Sequence, residues 1–186
     1  MILDTFFSHD FVKPQSLFSK EGVTLFGTVD ASYATHQDFK SHTGFTLHVG
    51  RDSGSILTTS KKQKNIADSS SIAEFIGTHL FGKEILWARR ILASLGYPQQ
   101  APTILFDDNK STISMIKNKC NGKRTKHIDV RYNLIRELVS QMVIIMQHLA
   151  SKDMPSDMLT KPLAPDPFIH LRKKILGVCE RLYIVK

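Results

Sequence analysis

Apolar and polar positions alternate along the first third of the chain, as they do in half-buried β-strands. In the first run, Val23, Leu25 and Val29 fall on one side of the predicted strand. Phe26 and Asp30 fall on its other side. Two further runs flank a Gly-Arg-Asp-Ser-Gly sequence typical of a hairpin turn, so the pattern predicts a three-stranded antiparallel meander. The three predicted strands are 23–31, 44–49 and 55–60.

After the meander the apolar positions change to helical spacing. A long helix is predicted over 72–95, following three serines and ending at Gly96, with Leu80 among its apolar positions. A last helical segment is predicted to open at Pro155 and to be cut by Pro162. The other predicted elements are strand 103–106, helix 110–117, helix 129–141 and strand 142–149. This order predicts an α/β fold in which the later strands are reached through helical crossovers.

Length and composition indicate one folded domain. The chain has 186 residues, of which 41% are hydrophobic and 23% are charged, a balance that excludes disordered and fibrous classes. We assign 23–177 to the domain, leave 1–22 unassigned, and treat 178–186 as a tail. The two cysteines are far apart, without the spacing of a zinc site or a disulfide framework. No apolar run approaches the roughly 18 residues of a membrane span, and no secretory signal is expected.

The positive charge of the chain is concentrated in one stretch. The formal net charge is +8, and between positions 117 and 136 there are seven basic residues against one acid. A smaller basic cluster follows the third strand and comprises Lys61, Lys62 and Lys64. Such clusters favour an anionic partner, although solvated charged loops give the same pattern.

Four acids stand at or near the ends of predicted elements. These acids are Asp30, Glu74, Asp108 and Asp157. If the first, fourth and fifth strands are neighbours, the carboxylates converge on one side of the sheet and repel one another unless a cation is bound. Oxygen ligands of this kind suit Mg²⁺, and a pair of ions would serve phosphodiester hydrolysis.

Each acid also has a purely structural explanation. Ser71 and Glu74 have the spacing of a helix capping box, and Asp108 and Asp157 precede helical segments, where acids are favoured. Asp30 is harder to explain in this way, because a charge within an apolar strand is costly. Asp107 and Asp108 must point to opposite faces of their strand, and spacing does not decide which of them joins the other acids.

Six ordered sequence blocks carry a family resemblance, namely GTVDASYA with HTGFTLHVG, SKKQKNIADSSSIAEF, KEILWARRILASLG, ILFDDNKSTISMIKN, RTKHIDVRYNLIRE and SDMLTKPL. Over about residues 25–177 they resemble the ribonuclease H domain of copia-type (Pseudoviridae) retrotransposon Pol polyproteins. The resemblance implies a catalytic and metal-binding set of Asp30, Glu74, Asp108 and Asp157. It selects Asp108 over Asp107, because the family motif has an acid directly before asparagine.

The resemblance further implies a ribonuclease H-like fold, with a five-stranded mixed sheet in which two strands run parallel to the first. It implies two-metal cleavage of the RNA strand of RNA–DNA hybrids during reverse transcription, with two Mg²⁺ ions that Mn²⁺ can replace. An associated polymerase domain is the expected partner. The expected location is intracellular, in cytoplasmic virus-like particles or in the nucleus. The predicted contacts to the hybrid are Lys61, Lys62, Lys64, Asn109, Arg124, Lys126, His127 and Arg131.

One departure concerns the segment before Asp157, where many cellular ribonucleases H carry a histidine that assists proton transfer or product release. Residues 150–153 contain none, and His127 and His148 are the nearest candidates.

Other functions are weighed against this resemblance. An aspartic protease is disfavoured because the Asp-Ser-Gly at 52–54 lies in a predicted turn. An integrase is disfavoured because its third catalytic acid, a glutamate, would fall near position 143, which is Val143 here. A polymerase is excluded by length. The serious alternative is a degenerate or co-opted module that binds nucleic acid without cleaving it.

Overall fold

One mixed sheet of five strands organises the chain, and the predicted fold class is confirmed. The structure, a computed structural model, describes residues 23–50, 53–118 and 133–178. The strands are β1 (Leu25–Ser32), β2 (His42–Val49), β3 (Ser55–Lys62), β4 (Thr103–Asp107) and β5 (Ile144–His148). The helices are α1 (Ser70–Ser94), α2 (Lys110–Lys117), α3 (Asn133–Ser140) and α4 (Pro165–Leu176). The strand order is β3-β2-β1-β4-β5, with β1, β4 and β5 parallel and the meander antiparallel.

The two faces of the sheet carry different layers. Leu25 and Val29 of β1 belong to the main core, where they meet Phe81 and Ile85 of α1. Phe26 belongs to a smaller cluster with Phe106 and Met154 on the opposite face. The alternation predicted for the first strand is therefore confirmed. Each large apolar side chain that is fully buried in this way contributes about 1.5–3 kcal/mol to the free energy of unfolding.

Helix α1 starts earlier and is turned differently from the prediction. The side chain of Ser69 caps it by accepting a hydrogen bond from the Ile72 backbone N–H at 3.3 Å, so the alternative explanation of Ser71 and Glu74 as a capping box is wrong. Leu80 is 37% exposed, whereas its neighbour Phe81 is fully buried. Part of the face predicted to be buried thus faces solvent.

The C-terminal region differs most from its prediction. The segment from Pro155 forms a 3-10 turn (Pro155–Leu159), preceded by another (Ser151–Asp153), and α4 starts separately at Pro165. Proline at the first position of a helix suits this second start, because its missing N–H has no partner to lose there. Between α3 and β5, Met142 has a φ of 57°, so the strand begins at Ile144 rather than at 142.

Because Gly44 has no side chain, the 3-10 turn Pro155–Leu159 can pack directly on the sheet. Gly44 of β2 lies directly opposite Asp30 of β1. A Cβ atom at Gly44 would lie 2.6 Å from Cβ of Leu159 and 2.9 Å from the Ser156 carbonyl oxygen, closer than atoms can pack. The Ser60 hydroxyl of β3 also donates a hydrogen bond to the Leu159 carbonyl at 2.7 Å. The sheet therefore holds this turn beside the end of β1.

Helix α4 supports the preceding turn from outside. Lys174 is buried, and its Nζ atom lies 2.8 Å from Oδ1 of Asp153 and 3.2 Å from the Asp153 carbonyl oxygen.

No helix within the described residues is both long and apolar enough to cross a membrane. The assignment of 1–22 and 178–186 as segments outside the domain stays a prediction.

Candidate active site

Three of the four predicted acids converge at one end of the sheet, on the face opposite α1. One carboxylate oxygen from each of Asp30, Asp108 and Asp157 lies within 4.8 Å of the others. β1 and β4 are parallel neighbours, and the register that pairs Thr28 with Phe106 also brings Asp30 and Asp108 side by side. Asp157 arrives on the 3-10 turn that packs over Gly44. We call these three residues the open cluster.

The two adjacent aspartates at the end of β4 turn to opposite faces of the sheet. Asp107 is the last residue of the strand and is fully buried, and Asp108 follows the strand instead of ending it. Asp107 accepts a hydrogen bond from the Asn109 backbone N–H at 2.7 Å and one from the Thr78 hydroxyl of α1 at 3.4 Å. Asp108 turns to the other face, where it accepts a hydrogen bond from the Ser151 hydroxyl at 2.6 Å.

Glu74 approaches from α1 and is not a member of the open cluster. It lies in the second turn of the helix and is only 4% exposed. Burial, reinforced by the charges of Asp107 and Asp30, raises the pKa of Glu74 to about 10, although the Ala31 backbone N–H donates a hydrogen bond to it. Its Oε2 atom is buried without a hydrogen-bond partner in the described part of the chain. Glu74 is therefore close enough to Asp30 for the charge of Asp30 to raise the pKa of Glu74.

The open cluster is also short of positive charge. Burial, with the neighbouring charge of Asp30, raises the pKa of Asp157 to about 7. Burial likewise raises the pKa of Asp30, despite the hydroxyl of Thr160 and the ammonium of Lys161. The Oδ1 atom of Asp157 is buried and has no hydrogen-bond partner within the described residues.

These donors fit a hard divalent cation. Such ions take carboxylate oxygens as ligands, and the unpartnered oxygens of Asp157 and Glu74 are the kind of atom that a bound ion would satisfy. A cation would also favour the charged forms of the carboxylates, whose pKa values burial raises.

Two residues of the site were missed by the sequence prediction. Lys161 places Nζ 3.1 Å from Oδ2 of Asp157 and 3.8 Å from Oδ2 of Asp30. Thr160 donates hydrogen bonds to the Asp30 carboxylate and, at 3.1 Å, to the Asp157 carbonyl oxygen. Both follow Asp157 by three and four residues, a spacing that returns to the same side of a helical turn. That spacing within SDMLTKPL was the signal available in the sequence.

The lysines at the end of β3, which extends to Lys62 instead of to the predicted residue 60, line a groove on the α1 side of the sheet edge. The groove has a volume of about 520 Å³ and is bordered by Lys61, Lys62 and Lys64 of the meander and by Lys83 of α1. Lys62 is also ion-paired with Asp38 at 2.8 Å. The lysines therefore collect at one edge of the sheet.

Of the other predicted contacts to nucleic acid, only Asn109 lies within the described residues. Asn109 caps α2, because its side-chain oxygen accepts hydrogen bonds from the backbone N–H groups of Ser111 and Thr112 at 3.0 and 3.2 Å. His148, a candidate for assisting proton transfer or product release and not a predicted contact, is exposed at the end of β5. Four further predicted contacts lie outside the described residues, namely Arg124, Lys126, His127 and Arg131.

Comparison with known proteins identifies relatives over most of the chain. No protein-family model matches it. The chain is 37% identical over 155 residues to the retrovirus-related Pol polyprotein from transposon TNT 1-94 of Nicotiana tabacum, a match that covers 83% of this chain. It is 31% identical over 162 residues to the corresponding polyprotein from transposon RE1 of Arabidopsis thaliana, which covers 86% of this chain. The chain belongs to the ribonuclease H-like domains of copia-type retrotransposon Pol polyproteins. It spans 11% of the length of each of these two polyproteins.

Solved structures agree on the fold of this ribonuclease H-like domain. LC11-RNase H1, crystallised in complex with an RNA/DNA hybrid, superimposes with a TM-score of 0.55 at 8% sequence identity, covering 74% of this chain and 94% of that one. The N-terminal RNase H domain of rv2228c from Mycobacterium tuberculosis gives a TM-score of 0.54 at 13% identity, covering 82% of this chain and 98% of that one. The ribonuclease H fold therefore holds despite little sequence identity.

Proposed function

We propose that this chain is an endoribonuclease that hydrolyses the RNA strand of RNA–DNA hybrids with the help of two divalent metal ions. The observation that carries the proposal is the convergence of Asp30, Asp108 and Asp157 within 4.8 Å, at the end of a ribonuclease H sheet. Buried acids at this density are costly unless they serve a cation. The similarity to Pol polyproteins supports a role in reverse transcription.

The open cluster would hold the ions, and Glu74 is the nearest additional carboxylate. When bound, a pair of such ions activates a water molecule on one side of a phosphodiester and stabilises the leaving oxygen on the other. The chain's own contribution is to fix the ligands. Ser151 orients Asp108 through a hydrogen bond of 2.6 Å, and Thr160 orients Asp30. We propose Mg²⁺ as the natural ion and Mn²⁺ as a substitute.

The substrate class follows from what can be recognised beside such a centre. A protein distinguishes the RNA strand of a hybrid by its 2′-hydroxyl groups and by helix shape, and holds the duplex through backbone phosphates. The lysines at the edge of β3, together with Lys83, offer such contacts along one side of the domain. We therefore expect binding to be sensitive to salt and indifferent to sequence.

The cellular setting is part of the same proposal. In the polyproteins that this chain resembles, the matched segment is a small part of a much longer protein. We propose that a polymerase domain of such a polyprotein is the working partner, inside the cell. Hybrid binding by the isolated chain is then expected to be weaker than binding by the two domains together.

Cleavage of matched duplexes tests the proposal. The substrates are an RNA–DNA hybrid, an RNA–RNA duplex and a DNA–DNA duplex of one sequence, each labelled on either strand, with Mg²⁺ or Mn²⁺ titrated from zero. We expect cuts only in the RNA strand of the hybrid and only with metal. The matched control is Asp30→Asn, which removes a charge from the open cluster at nearly constant volume.

The alternative is a module that binds hybrid without cutting it. Hybrid binding without cleavage at any metal concentration, unchanged when a polymerase domain is added, would establish that alternative. Cleavage that persists in Asp30→Asn would instead place the catalytic centre elsewhere.

A further inference from the structure

Lys161 places a positive charge beside two carboxylates of the open cluster, those of Asp30 and Asp157. Its Nζ atom lies 3.1 Å from Oδ2 of Asp157 and 3.8 Å from Oδ2 of Asp30, so one ammonium group serves two carboxylates. The carboxylates are almost fully buried, whereas the lysine side chain is 39% exposed. The ammonium therefore reaches the acids from the solvent side of the cluster.

We propose that Lys161 is a built-in counter-ion that a metal ion must displace in order to bind. The inference rests on the divalent-metal site proposed above. In the metal-free protein the ammonium offsets the repulsion between Asp30 and Asp157 and holds their Oδ2 atoms together. Lys161 is thus a positioning residue of the metal-free site and a competitor of the metal.

The distances support displacement over coexistence. A bound Mg²⁺ ion needs its carboxylate oxygens at about 2.0–2.1 Å, in near-octahedral geometry. Nζ already lies 3.1 Å and 3.8 Å from Oδ2 of Asp157 and Asp30, and an ammonium and a divalent ion held by the same two carboxylates would repel each other. Asp108 has no ion pair with Lys161, but Ser151 fixes it in place. The cluster can therefore receive an ion once the ammonium withdraws.

The exposure of the lysine makes that withdrawal feasible. A flexible four-carbon stem allows the ammonium to swing toward solvent while the backbone of the turn stays in place. Thr160 continues to hold Asp30 and the Asp157 carbonyl oxygen, so the carboxylates keep their positions. The swing moves only the side chain of one residue.

Metal binding to purified chains tests this inference without any activity assay. Titration calorimetry with MnCl₂ would compare wild type, Lys161→Met, Lys161→Arg and Lys152→Met. The last variant is the matched control, because Lys152 is an exposed lysine on the neighbouring 3-10 turn and its removal changes the net charge equally. We expect Lys161→Met to bind the first Mn²⁺ ion about three- to five-fold more tightly, the scale of a half-exposed ion pair. Lys161→Arg and Lys152→Met should stay near wild type.

Thermal unfolding of the same four proteins provides a second readout. Without metal, Lys161→Met should melt below the Lys152→Met control, because its carboxylates lose their counter-ion. Saturating MnCl₂ should then raise its melting temperature by more than it raises that of wild type.

Two results would overturn the inference. Equal or weaker Mn²⁺ binding by Lys161→Met, beside normal binding by wild type, would show that the lysine does not compete, and would leave the proposed function intact. Absence of Mn²⁺ binding in all four proteins would overturn the proposed metal centre and the inference together.

Discussion

Asp107 and Asp108 are neighbours in the chain, yet they have opposite surroundings. Asp107 points toward α1, fully buried, with the Thr78 hydroxyl and a backbone N–H as its partners. Asp108 points to the other face, half-buried, with Ser151 as its partner and two further aspartates nearby. Burial raises the pKa of Asp107 to about 7 even though it lies outside the open cluster.

The difference teaches that a perturbed carboxyl is not by itself a sign of catalysis. Asp107 carries the mark of a functional acid, a strongly raised pKa, but its oxygens are occupied by the protein. The oxygens of the open cluster converge on one point that a cation can reach. Accessible geometry, more than acidity, separates the two aspartates.

The largest expected effect comes from exchanging each of these aspartates for asparagine. Asp108→Asn should lower hybrid cleavage by at least about 100-fold, above the 10- to 100-fold usual for residues that only support a metal ligand. Asp107→Asn should keep cleavage within about tenfold of wild type, because its side chain does not face the cluster. Steady-state cleavage of a labelled hybrid measures both. Similar losses in the two variants would remove the distinction.

The stability of the metal-free protein should depend on pH through Asp107 and Asp157. The pKa values of Asp107 and Asp157 are raised to about 7, so the folded protein holds protons that the unfolded chain releases near pH 4. Their contribution to the free energy of unfolding is therefore present below pH 4 and is lost as the pH rises to about 7. Urea titrations of the metal-free protein at a series of pH values would show this decline.

Added metal should then distinguish the contribution of Asp157 from that of Asp107. Mg²⁺ should offset the decline that Asp157 causes, because it binds the charged form, and should leave the share of Asp107 unchanged. Asp107→Asn is expected to flatten the curve with and without metal. A metal response that vanished in Asp107→Asn would mean that this residue is a ligand.

A smaller effect is expected from the partner of Asp108. Ser151→Ala removes the hydrogen bond of 2.6 Å that orients the carboxylate. Cleavage should fall about tenfold, at the lower limit for such supporting residues, with little change in stability. A titration of Mg²⁺ at fixed substrate would show whether the loss is recovered at high metal. Unchanged cleavage would mean that the backbone alone positions Asp108.

The smallest effect is expected on the Asp107 side. The Thr78 hydroxyl donates to the Glu74 carbonyl oxygen at 2.8 Å and to Asp107 at 3.4 Å. Thr78→Val keeps the shape and should cost about 1 kcal/mol of unfolding free energy. Chemical denaturation measures the loss, and hybrid cleavage should stay within about twofold. A loss of cleavage as large as that in Ser151→Ala would connect Thr78 to the reaction.

The sheet and the positions of its acids could be predicted because alternation is a local property. One side of β1 is apolar, and Asp30 interrupts the other, a pattern visible without tertiary information. The rotation of α1 could not be predicted in the same way. Its buried face includes Gly77 and Gly82, which lie close to Thr43 and Ile135, so large apolar residues do not mark that face.

The part of the site that escaped prediction depends on contacts between distant segments. Lys161 contacts Asp30 across more than a hundred residues, through a turn that packs on Gly44. The spacing of Lys161 from Asp157 places the two residues on one side of the turn, but only the tertiary fold brings that side against Asp30. The helical segment predicted from Pro155 does start there, but as a single 3-10 turn that packs on the sheet, and the break after it separates it from α4.

The position of bound metal tests the central claim most directly. Crystals of the wild-type protein soaked in Mn²⁺ can be measured at a wavelength where manganese scatters anomalously. We predict anomalous peaks among the carboxylates of Asp30, Asp108 and Asp157, with the Lys161 ammonium moved away from Asp157. Mn²⁺ held by Asp107, or no ion on the open cluster at saturating Mn²⁺, would contradict the account.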